Sequence, residues 1–121
     1  MLIQQRTIKK SATLSGVGLH TGNQCTMTFK PAPENFGICF RRMDMEGTPE
    51  IPALVDHVVD ISRGTTIGIG EAKVHTVEHV LAAISGLQID NIIIELDNNE
   101  PPIGDGSAKP YVDVLLESGF E

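Results

Sequence analysis

Nowhere in this 121-residue sequence does an apolar run approach the ~18–20 residues that cross a membrane. The opening MLIQQRTIKK is too short an apolar patch, and too polar afterwards, for a secretory signal. Cysteine is scarce: Cys25 and Cys39 make neither a disulfide framework nor a C-x-x-C pair. Together these absences point to a cytoplasmic protein whose thiols are reduced and sit in the core. Basic residues are few as well. Nine Lys and Arg against sixteen Asp and Glu leave a net charge of −7. With no basic run, a nucleic-acid partner is not expected. No repeat, low-complexity segment or linker divides the chain, so its length reads as one small domain.

What is present is an ordinary globular composition, 40% hydrophobic and 21% charged. The charge is uneven. Residues 1–89 balance their acids and bases, whereas residues 90–121 carry Asp90, Glu95, Asp97, Glu100, Asp105, Asp113, Glu117 and Glu121 against Lys109 alone. That acidic quarter reads as a solvated face.

Residues 2–14 have the look of a strand, with Ile3, Ile8 and Leu14 spaced through polar neighbours, running into a glycine-rich turn at 16–22. Cys25–Phe29 alternates apolar and polar, the period of a half-buried strand. Short extended pieces are expected at Ile38–Phe40, Leu54–Val59 and Thr65–Ile69, and Asn91–Leu96 is an apolar run of strand length. A helix is expected over Thr76–Ser85, with Val77, Val80, Leu81 and Ile84 as its stripe and Gly86 as a left-handed cap. A second follows Gly104–Ser107, with Pro110 in its first turn, Val112, Leu115 and Leu116 as its stripe, and Gly119 at its end. Strands first, then helix, strand and helix, argue for an α+β fold: two layers, a mostly antiparallel sheet with two helices on one face.

Three stretches could carry chemistry. His75-Thr76-Val77-Glu78-His79 fits H-x-x-E-H, in which two histidines one helical turn apart bind zinc and the carboxylate activates water. Two histidines fall short of the three protein ligands a catalytic zinc needs, and Glu95 and Glu100 are the nearest later carboxylates. A surface helix with two solvated histidines fits the same five residues. Gly16-Val17-Gly18-Leu19-His20-Thr21-Gly22 lacks the spacing and the βαβ setting of a dinucleotide loop, so its glycines read as turn-formers with positive φ. Asp105-Gly106-Ser107 before a helix serves a cap or a catalytic aspartate equally well.

Taken in order, G-V-G-L-H-T-G at 16–22, P-A-P-E-N at 31–35, S-R-G-T-T at 62–66, T-V-E-H at 76–79, G-L-Q-I-D-N at 86–91 and P-P-I-G-D-G-S-A at 101–108 resemble one family. They look like the N-terminal half of the UDP-3-O-acyl-N-acetylglucosamine deacetylases, zinc amidohydrolases of lipid A synthesis. The resemblance covers essentially the whole chain. It implies the first of two similar domains, each a sheet with two helices, with the active site in the cleft where the domains meet. Residues 1–121 are then the N-terminal domain, and the C-terminal domain is absent.

Carried over residue by residue, the resemblance makes Glu78 the general base and His79 one zinc ligand. Thr66, Ile67 and Gly68 border the cleft, and His20 faces the acylated UDP-sugar substrate. The other zinc ligands and the general acid belong to the second domain, and no residue here matches them. The family motif begins at Thr76, which leaves His75 outside it. Zn2+ is therefore expected in the full-length enzyme and weak or absent in this fragment, which is expected to be inactive alone. Helix faces meant to be covered, on the Val77/Leu81/Ile84 or Val112/Leu116 side, are expected to draw the fragment into a homodimer. Two rivals remain: a self-contained H-x-x-E-H metallopeptidase using His75 and His79, and a non-enzymatic domain docking through its acidic quarter. Some family members carry a hydroxyacyl-carrier-protein dehydratase downstream.

Overall fold

A computed structural model of the chain describes residues 5–54, 57–61, 64–102 and 108–121. The expectations for Ile3 and for the Asp105-Gly106-Ser107 loop fall outside these residues. The strands are β1 (Ala12–Val17), β2 (Gln24–Pro31), β3 (Ile38–Arg42), β4 (Glu50–Pro52), β5 (Val58–Asp60), β6 (Thr66–Ile69), β7 (Ala72–Val74) and β8 (Ile92–Leu96). The helices are α1 (Glu78–Gly86), between β7 and β8, and α2 (Lys109–Ser118) after β8. The fold is α+β, with five strands ordered β1-β2-β8-β3-β4 and a separate β5-β6-β7 sheet. Pairing is antiparallel except between β3 and β8, which run parallel. No helix among the described residues is long and apolar enough to cross a membrane.

Strand periodicity builds the core. Cys25, Met27 and Phe29 of β2 point to one face and are fully buried. Across the ladder Met27 pairs with Leu96 and Phe29 with Ile94, while Phe40 of β3 meets Ile94 from the other side. Against this face pack Val77, Val80, Ala83 and Ile84 around α1, with Tyr111 and Leu115 of α2. Both helices therefore lie on the core face. The two thiols are buried as expected, and burial pushes Cys25 up to about 12 and Cys39 up to about 11, which makes them inert.

Several boundaries differ from the sequence expectations. The first strand begins only at Ala12, because the segment before it pairs with the C-terminal tail. Ile8 bridges Phe120, Lys9 N–H donates to Gly119 O at 3.0 Å, and the Arg6 guanidinium lies 4.7 Å over the Phe120 ring. In α1 the left-handed position falls on Gln88 (φ 57) rather than on Gly86, which is the last helical residue. The shift lets Ile89 N–H reach Ile84 O at 3.1 Å and buries Ile89. Val77 and Ile84 belong to the domain's own core, so they offer no exposed face to a second copy. On α2 the buried residues are Tyr111, Leu115 and Ser118, while Leu116 is 52% exposed. The acidic quarter is not simply a solvated face either. Glu95 is buried between Lys30 (2.9 Å) and Arg41 (3.0 Å), and Glu100 has no exposed surface.

Candidate active site

The H-x-x-E-H residues do not share a helix. Helix α1 begins at Glu78 after an N-cap at Val77, and Thr76 before it has a left-handed φ of 54°. His75 therefore precedes the helix and is not stacked one turn from His79, which removes the geometry that the metallopeptidase alternative needs. Its Nδ1 instead lies 3.0 Å from Thr66 Oγ1, and its N–H donates to Asn99 O at 2.8 Å. Glu95, in its ion pairs on the sheet, and Glu100, in hydrogen bonds from a loop, are both committed elsewhere. Among the described residues no three His, Cys, Asp or Glu side chains converge as a metal group.

Glu78 and His79 open α1, where the positive end of the helix dipole favours the carboxylate. Thr65 N–H donates to Glu78 Oε1 at 2.7 Å, and Val77 N–H donates to Thr65 O at 3.2 Å, so the chain before β6 clamps the start of the helix. Gly64 makes this possible. Its φ is 119°, and a Cβ there would stand 3.2 Å from Glu78 Oε2.

Beside this clamp opens a depression of about 330 Å³ lined by His20, Thr21, Asp60, Gly64, Thr66, His75 and Thr76. Of the residues singled out from sequence, His20, Thr66 and His75 line it, and Glu78 lies near it through Gly64. Ile67 is in the core, facing Val58 and Val74 across the ladder, and Gly68 is buried opposite Lys73. Neither lines the depression. His79 is half-buried on α1.

The residue whose role motif reasoning passed over is Glu100, which entered only as one of eight C-terminal acids and as a later carboxylate beside the H-x-x-E-H residues. Its carboxylate accepts from His20 N–H (3.0 and 3.2 Å), Thr21 N–H (2.9 Å), Thr21 Oγ1 (2.9 Å) and Thr76 Oγ1 (2.5 Å). Burial works to raise its pKa, but the hydrogen bonds from Thr76, Thr21 and His20 outweigh it and hold the carboxyl below the usual carboxylate value. A folded-state pKa below the unfolded one contributes stability at higher pH. That stability is fully present above the ordinary value of 4.5 and is lost as pH falls through the folded value. We expect urea midpoints to fall more steeply with acidification below about pH 4.5 in the parent than in Glu100→Gln. Equal slopes would contradict this.

Gly18 and Gly22 serve different needs. Gly22 supplies the positive φ of 68° expected of a turn glycine, whereas Gly18 does not adopt one. A Cβ on Gly18 would lie 2.3 Å from Glu100 Oε1 and 2.9 Å from Glu100 Cβ, so its role is close approach.

Fold and site together define an α+β domain that presents a carboxylate and an imidazole on the first turn of a helix, with an open depression lined by His20, Thr66 and His75 close to the carboxylate. The family model described as LpxC: UDP-3-O-acyl N-acetylglycosamine deacetylase matches residues 5–121, and the chain belongs to that family of lipid A biosynthesis. It is 62% identical over 120 residues to the bifunctional enzyme LpxC/FabZ of Chlorobaculum tepidum, covering 99% of this chain and 26% of that protein. It is also 47% identical over 119 residues to the UDP-3-O-acyl-N-acetylglucosamine deacetylase of Stenotrophomonas maltophilia, covering 98% of this chain and 39% of that one. The similarly named protein of Myxococcus xanthus is 49% identical over 115 residues, covering 95% and 37%. The chain thus spans about a quarter to two-fifths of the curated relatives it matches.

Proposed function

We propose that residues 1–121 are the N-terminal domain of a two-domain zinc deacetylase. It removes the N-acetyl group of UDP-3-O-acyl-N-acetylglucosamine, and this domain supplies the general base and one zinc ligand. The observation that carries the reading is the pair at the start of α1: Glu78, held by the Thr65 amide, next to His79, beside a depression lined by His20 and Thr66. Similarity to full-length proteins bearing the deacetylase name supports it.

One imidazole and one carboxylate, the latter held by the Thr65 amide, suit one ligand and one base. A catalytic zinc needs three protein ligands, and on the family resemblance the remaining ones belong to the second domain. Zinc, when bound there, polarises the acetamide carbonyl and eases the deprotonation of water. Glu78 takes the proton of the attacking water, and the Thr65 amide fixes the carboxylate for that transfer. His20 and Thr66 face the substrate from the depression, while Ile67 and Gly68, buried on the same strand, contribute only by positioning Thr66. A cytoplasmic location belongs to the same reading, through the nucleotide-sugar substrate.

The test is turnover of the acylated UDP sugar by the isolated domain and by the full-length protein. Only the full-length protein is expected to deacetylate it. Clear metal-dependent turnover by the domain alone would contradict the half-site. We also infer that the isolated domain self-associates through Leu116 and Val112 rather than through the α1 stripe. Light scattering should show association with rising concentration, weakened by Leu116→Glu. A strict monomer at high concentration would count against it.

A further inference from the structure

Glu100 is completely buried, and among the described residues no cation pairs with it. A buried carboxylate without a counter-ion persists only where hydrogen bonds replace the water it has lost. Here the donors come from two segments far apart in sequence: the His20–Thr21 loop, and Thr76, two residues before Glu78. His20, Thr21 and Thr76 all line the depression, and Glu100 does not. The carboxylate thus stands behind the wall and ties its two sides together.

Two local features show what the tie imposes. Thr76 is β-branched yet sits at φ 54°, a conformation such residues keep only where their surroundings hold them. Its hydroxyl bond to Glu100 Oε2, at 2.5 Å, restrains the side chain, alongside the backbone bonds from His75 N–H to Asn99 O and from Val77 N–H to Thr65 O. Gly18 lacks the Cβ that would push Glu100 out of place.

We propose that Glu100 is a positioning residue for deacetylation. By holding the Thr76 turn and the His20 loop on one carboxylate, it sets where the first turn of α1 presents Glu78 and His79. The proposal rests on the deacetylase reading. Glu100 itself touches neither substrate nor the reacting atoms, and it acts through Thr76 and the His20 loop.

The experiment is steady-state kinetics on the full-length deacetylase carrying this domain, with Thr76→Val, Thr76→Ser, Glu100→Gln and Glu78→Gln. Valine keeps the shape and branching of threonine and replaces the hydroxyl with a methyl group that cannot donate. Misplacing a reacting group by a fraction of an ångström to an ångström costs rate, so Thr76→Val is expected to lower kcat about tenfold or more. KM should stay within about twofold, and Thr76→Ser, which restores the hydroxyl, should return kcat to within about threefold of the parent. Parent-like kcat in Thr76→Val, a change in KM alone, or no rescue by serine would overturn the proposal. Should Thr76→Val fail to fold, Glu100→Gln carries the same test: reduced kcat with unchanged KM supports the role, and unchanged kcat removes it. Glu78→Gln separates the two levels. If the parent does not turn over the acylated UDP sugar, the deacetylase reading has failed, and if Glu78→Gln retains full turnover, Glu78 is not the base. If that variant is inactive while Thr76→Val turns over normally, only the positioning role has failed.

Discussion

Glu78→Gln in the full-length protein is expected to lower kcat by about 10²–10⁴-fold, the usual contribution of a positioned general base. The fold should hardly notice. Glu78 is exposed, and the hydrogen bond it accepts from the chain before β6, from Thr65 N–H at 2.7 Å, can be kept by the glutamine carbonyl. The melting temperature should therefore stay close to the parent's while turnover of the acylated UDP sugar collapses. A variant that melts much earlier would make Glu78 a structural residue, and one that turns over normally would remove it from the chemistry.

Gly18→Ala is expected to be the costliest small substitution in the domain. The added methyl would meet Glu100 at 2.3–2.9 Å, including its Cβ, and Glu100 cannot swing away without abandoning the amides of His20 and Thr21. Overpacking together with lost bonds to a buried carboxylate predicts destabilisation of about 3 kcal/mol. Gly86→Ala is the control. Nothing lies within 4 Å of a Cβ there, and the residue is helical, so alanine should stabilise by about 0.5–1 kcal/mol. Urea unfolding of the two variants should bracket the parent. A neutral Gly18→Ala would mean that Glu100 has room to move.

The parts of the fold that sequence could show are those whose signal is local. Alternation at Cys25, Met27 and Phe29 marks β2, and the isoleucines of β8 divide between two faces as period two requires. Strand β7 escaped notice because Ala72–Val74 is too short for alternation to register, and it follows a tight turn at Gly70 with φ 60°. The helix boundary was misjudged for a different reason. Thr76 fits a helical pattern by composition, but it sits at φ 54° in a turn whose hydrogen bonds run to Thr65, Asn99 and Glu100. Tertiary contact overrides local propensity there, and it also separates His75 from the helix. In the site, the pair Glu78 and His79 was legible as a motif. Glu100 was visible as one acid among eight and as a later carboxylate, but not in its own role, because its partners His20 and Thr21 lie 80 and 79 residues back along the chain.

The central claim is that this domain contributes one zinc ligand, His79, and depends on the rest of the protein for the others. Zinc titration of the purified 121-residue domain, with His75→Ala and His79→Ala alongside, tests it most directly. Weak or no binding by the domain, with His75→Ala no different from the parent, is the predicted result. Tight one-to-one binding lost in both variants would contradict it, because the metal site would then be complete within this chain.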